Sequence, residues 1–203
     1  MELTKLEAAE RQLRQAIRLF FGGGDEVSVH TLTGAACRVL RDLAKHQRGS
    51  HPLQDVVPHI RPEKRQEFFK LLTVNQNFFK HAGNGPESSL TFNPESTEFL
   101  LFDATMTHIS LTGCALPETL IFALWFVLRH DDIVASDAPL KDLVGKLDVP
   151  SAVADRATAR AAIETARTQY GEHIPLPGFG TAAPPKAVAA KAAGTSKPAP
   201  KKK

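Results

Sequence analysis

Apolar residues recur at steps of three and four through most of the first 170 positions. Over 4–21, Leu6, Ala9, Leu13, Ile17 and Phe20 form one stripe, and Glu7, Glu10, Arg11, Arg14 and Arg18 take the other positions. This spacing predicts an amphipathic helix. Its acids come early and its arginines late, which suits the helix dipole, and Gly22-Gly23-Gly24 ends it. Ser28 is placed to cap a second helix over 29–47, with a stripe of Leu32, Ala36, Val39 and Leu43 widened by Ala35 and Leu40. Gly34 and the alanines let a neighbouring helix come close. Two prolines break 49–60, which predicts a loop or a short turn of helix.

Pro62 suits the first turn of a third helix over 62–82, whose apolar face is Phe68, Leu71, Leu72, Phe78 and Phe79. Gly83-Asn84-Gly85-Pro86 stops it. SSLTF at 88–92 alternates and predicts a short strand or an extended arm. Asn93-Pro94-Glu95 supplies cap, first-turn proline and acid for a helix to about 112, with Phe99, Phe102, Met106 and Ile109 inward. Pro117-Glu118 opens a helix over 117–130 that is apolar on all sides at its middle, so it is expected to be the most buried. A short helix from Pro139 to Leu147 and an alanine-rich surface helix over 151–169 complete the pattern. The expected fold is all-α: a bundle of five to six helices over 1–170, with a disordered Ala/Pro/Lys-rich basic tail over 171–203.

Charge changes the picture at one end only. The chain carries a formal +3, and six lysines (Lys186, Lys191, Lys197, Lys201, Lys202, Lys203) with no acid lie in 181–203, which leaves the preceding body at −3. A folded nucleic-acid reader usually carries a basic patch on the domain itself, and in bulk that footprint is absent. The lysines fit two accounts: a tether that adds nonspecific, salt-sensitive affinity for nucleic acid, or a dispensable solubilising extension. The longest apolar run, LIFALWFVL at 120–128, falls short of the roughly 18–20 residues of a membrane span. The charged N-terminus lacks a signal-peptide core. Cys37 and Cys114 sit in apolar surroundings without CxxC spacing. Reduced thiols and a cytoplasmic location without a membrane partner are therefore expected.

Candidate chemistry concentrates in NQNFFKHAG at 75–83. Asn77 and His81 are four apart and share a helix face, with Lys80 beside them. His30 and Asp103 are further polar residues for the same site. Scattered histidines without HxxxH or HExxH spacing give no metal site, and no phosphate loop or nucleophile elbow implies a cofactor. Two accounts again fit. Asn75 directs its amide at the core as a register-fixing hydrogen bond, and His81 and Lys80 complement a helix C-terminus. In the other account, Asn-Phe-Phe-Lys-His near the end of a long helix resembles the signature region of HEPN-type domains. That resemblance implies a dimer-forming helical bundle and a metal-independent ribonuclease or nucleotide transferase. Only Asn77 and His81 match, because positions 74–76 are Val, Asn and Gln where the family's arginine stands. VSVHTLTGAACRVLRDL, NFFKHA and FNPESTEFLLFDA together also resemble an uncharacterised bacterial all-helical protein family, which implies no activity. The expected function is a noncatalytic helical interaction module that forms homodimers, with a nucleic-acid-tethering tail. The alternative is a HEPN-like ribonuclease or RNA-binding domain using Asn77 and His81.

Overall fold

A computed structural model describes residues 1–49, 53–73, 78–79, 87–146 and 151–179. The all-α class holds. Among these residues are seven α-helices: α1 (Lys5–Phe21), α2 (Glu26–Arg48), α3 (Arg65–Thr73), α4 (Glu95–Thr112), α5 (Pro117–Arg129), α6 (Pro139–Lys146) and α7 (Arg156–Tyr170). The count exceeds the expected five to six because short α6 and alanine-rich α7 both form and both pack on α5. α1 lies along α2, α2 along α4, and α5 is covered by α7.

Local chemistry sets the helix ends. Thr4 and Glu7 form a reciprocal capping box on α1: Glu7 N–H donates to Thr4 Oγ1 at 3.1 Å and Thr4 N–H to Glu7 Oε2 at 2.8 Å. α2 begins earlier than Ser28 predicts, because Asp25 Oδ2 accepts the Ser28 N–H at 2.7 Å and so caps the helix three residues upstream. Gly113 ends α4 at φ 69°, in the left-handed region that glycine enters without a Cβ penalty.

The buried face of α2 is also rotated from the expected stripe. Val29, Thr33, Ala36, Cys37, Leu40 and Ala44 are buried, whereas Leu32, Val39 and Leu43 are only partly covered. Small side chains on this face let α4 pack close. α4, not α5, is enclosed over the longer run: every residue from Ser96 to Ile109 is buried. Around it, Phe102 stacks on Phe126 with centroids 4.0 Å apart, and Phe20, Phe21, Phe122 and Trp125 form edge-to-face contacts.

Two further expectations are corrected. SSLTF forms no strand; among the described residues the two short strands are β1 (Cys114–Ala115) and β2 (Ile174–Pro175), paired antiparallel. The body therefore does not end at 170. Ile174 and Leu176 are buried, and Leu176 N–H donates to Gly113 O, so the chain returns across the bundle as far as Phe179. Two apolar side chains and the open edge of Cys114–Ala115 give 171–179 enough contact to offset its ordering cost. Positions 180–203, with the tail lysines, lie outside the described residues.

Candidate functional site

Of the candidate residues read from the sequence, Asn77, Lys80 and His81 lie outside the described residues. His30 and Asp103 do not meet. His30 sits in the first turn of α2, 2% exposed, with Nδ1 hydrogen-bonded to Thr97 Oγ1 at 3.0 Å. Phe79 and Phe92 meet its ring edge to face, so the second phenylalanine of the NQNFFKHAG stretch lies against this end of α2.

Asp103 lies further along the α2–α4 seam. Its Oδ2 accepts from Arg41 Nη2 at 2.6 Å, Arg41 Nε at 3.0 Å and Cys37 Sγ at 3.0 Å. Cys37 is seven residues past His30, about 10 Å along the helix, which keeps the two contacts apart. Burial pushes the Asp103 carboxyl above its ordinary range, against the pull of Arg41 and Cys37.

Three more buried acids escaped the sequence reading, and each pairs with a cation-forming side chain from another helix. Glu10 Oε1 on α1 meets His108 Nε2 on α4 at 3.0 Å. Burial raises the Glu10 carboxyl, but the His108 hydrogen bond and charge outweigh it, so the group is held below its usual range. Glu98 on α4 takes His130 Nε2 at 2.8 Å and Arg156 Nη2 at 3.0 Å. Glu118 on α5 is fully buried and receives Arg18 Nη2 at 2.6 Å and Arg167 Nη2 on the same oxygen. The signal that marks them is a charged residue set into an apolar run, as Glu98 is beside Phe99-Leu100-Leu101 and Asp103 beside Phe102.

A polar concavity lies elsewhere. A cleft of about 550 Å³ opens between the end of α2, the 54–59 loop, α4 and the returning C-terminal segment. Arg48 Nη1 donates to Ser110 Oγ at 2.7 Å and Nη2 to Asp55 Oδ2 at 2.9 Å, while Ser110 Oγ donates to Asp55 Oδ1 at 2.8 Å. His59 on the cleft wall stacks on Phe179, and its buried Nδ1 has no partner among the described residues. Burial pushes the imidazole down to about 4, so it is neutral at pH 7.

This arrangement binds better than it reacts. The Ser110 hydroxyl proton points at a carboxylate already neutralised by Arg48, which is a poor base for making a nucleophile. Among the described residues no group of three His, Cys, Asp or Glu side chains is arranged to hold a metal ion. No helix there is long and apolar enough to cross a membrane. No protein-family model, curated protein or solved structure matches the chain.

Proposed function

We propose that the protein is a noncatalytic helical interaction module whose lysine-rich extension tethers it to nucleic acid. One observation carries this reading: each buried carboxylate described above already has a cation-forming partner from another helix. Such charges brace helices, and the paired carboxylates Asp103, Glu98 and Glu118 line neither the Ser110 cleft nor the grooves on the α1–α2 and α1–α7 faces. A general acid or base needs a reachable partner and a poised proton, and Asp103, Glu98 and Glu118 offer neither. The tail's six lysines and lack of acid support the tether. Self-association through the outer α1–α2 face is part of the proposal. A groove of about 610 Å³ there combines partly buried Val39 and Leu43 with Lys5 on one side and Asp42 on the other, charges that would cross in a twofold pair.

The competing reading, a HEPN-like metal-independent ribonuclease using Asn77 and His81, draws support from Phe79 packing on His30. Incubating the full chain and its His81→Ala variant with single-stranded RNA in EDTA separates the two. The module leaves RNA uncut in both. Cleavage by the wild type that disappears in the variant overturns it. Light scattering should give a dimer mass for the full chain, and a strictly monomeric mass removes the self-association part.

A further inference from the structure

The bulk charge of the body hides how its arginines are arranged. On α7, Arg156, Arg160 and Arg167 follow one another at four and seven residues, one row on one face. α1 offers Arg14 and Arg18 to the same side. The helices run antiparallel there: Arg14 reaches Glu172, Arg18 and Arg167 share Glu118, and Arg160 lies over Gly22. Of these five arginines, Arg18 and Arg160 line one groove of about 440 Å³, together with Ala157, Ala161, Ile163 and Glu164.

Four glutamates answer these five arginines, and they are placed unevenly. Glu118 is buried and bonded to groove-lining Arg18, and Glu98 is buried and bonded to Arg156. Glu164 and Glu172 are at the surface, and both are held by Arg167. Arg160 is exposed and has no carboxylate within ion-pair distance among the described residues. The Arg18 side chain, although paired below, keeps 46% exposure toward the groove. Ala157 and Ala161 add no charge to the groove, and its one lining carboxylate, Glu164, is paired with Arg167.

One more residue points to the kind of ligand. Tyr170, the chain's only tyrosine, stands one turn past Arg167 at the end of α7 and is 48% exposed. From Arg160 to Tyr170 the helix advances about 15 Å, too far for a single small anion and suited to an extended one. Guanidinium forks fit phosphate oxygens, and single strands are held without sequence preference where cations are joined by exposed aromatics on which bases stack; Tyr170 stands on the same helix, beyond the groove's lining residues. We infer that the α1–α7 groove binds the backbone of a single-stranded nucleic acid, with phosphates on Arg18 and Arg160 and a base stacked on Tyr170.

This inference builds on the nucleic-acid contact proposed for the tail and adds a second, folded contact to it. The test uses the full chain and fluorescence anisotropy of labelled oligouridylate over a salt series. Arg160→Glu should weaken binding about tenfold and reduce the slope of log affinity against log salt by about 1, with Arg160→Gln between it and the wild type. Neither change removes an ion pair, so the melting temperature should hold. Tyr170→Ala should weaken single-strand binding about fivefold or more and leave duplex binding unchanged. A variant with all six tail lysines changed to glutamine should bind more weakly than the wild type and still respond to Arg160→Glu.

Wild-type affinity in both Arg160→Glu and Tyr170→Ala overturns the groove. If the loss is confined to the six-lysine variant, the groove fails and the tether stands. If that variant binds as the wild type does, the tether fails and the groove stands. Failure of the wild type to bind any strand, or Arg160-dependent capture of phosphatidylserine vesicles in place of strands, also overturns the groove.

Discussion

Asp103 is a buried charge that depends on one cation. It is fully buried, and among the described residues only one of its oxygens is bonded and its one full counter-charge comes from Arg41. Removing one partner of such a pair strands a charge and typically costs about 3–5 kcal/mol, whereas replacing both by apolar residues is close to neutral. Arg41→Leu should therefore lower the urea-unfolding free energy by that amount, and Arg41→Leu with Asp103→Leu should recover most of it. His59 gives a different signature. Its folded-state pKa lies near 4, below the ordinary 6.5. The unfolded chain thus takes up its proton first as pH falls. The contribution of neutral His59 is whole above pH 6.5 and is lost as pH drops toward 4, up to about 3 kcal/mol in all. Urea unfolding across that window should show the loss, and His59→Leu should flatten it. These residues were poorly legible in the sequence for a definite reason. A charged residue in a helical pattern is ordinarily a solvent-facing position, and what makes it tolerable inside is a partner far along the chain. Arg18 and Glu118 are 100 residues apart, and Cys37 and Asp103 are 66 apart.

At the scale of elements, the sequence reading located helices better than their ends and faces. Proline at the first turn, glycine after the last and apolar spacing are local signals, and α1, α4, α5 and α6 fall close to where those signals put them. The start of α2 does not, since Asp25 and Ser28 both qualify as caps and only the backbone shows which one is used. Asp25→Ala should lower the melting temperature by a few degrees, with Ser28→Ala close to wild type. The face of α2 was misread because the larger residues Leu32, Val39 and Leu43 drew the stripe, whereas packing against α4 selects the smaller Ala36, Cys37 and Ala44. The return of 171–179 was hidden in a Pro/Gly-rich segment whose two anchors, Ile174 and Leu176, are too few to register as a pattern. If that segment belongs to the body, Ile174→Ala and Leu176→Ala should each cost about 2–5 kcal/mol. A dangling extension would show no change in unfolding.

Across the whole molecule, charge is sorted by depth. The interior acids are paired helix to helix, and Arg18, which holds Glu118, continues outward into the α1–α7 groove. A net count over the body averages these layers and returns a slight negative charge, which is why the basic face was not legible from composition. The candidate residues Asn77, Lys80 and His81 lie outside the described residues, and their spacing alone fixes no role, because an asparagine and a histidine four apart serve a helix end as readily as a phosphodiester. The account rests on the claim that this molecule holds single strands and does not cut them. The direct measurement is one titration of labelled single-stranded RNA with the full chain in EDTA, read by anisotropy and then on a denaturing gel. The expected result is a saturable, salt-sensitive rise in anisotropy with the strand intact at every point. A strand that shortens with time, or an anisotropy that never rises, would contradict it.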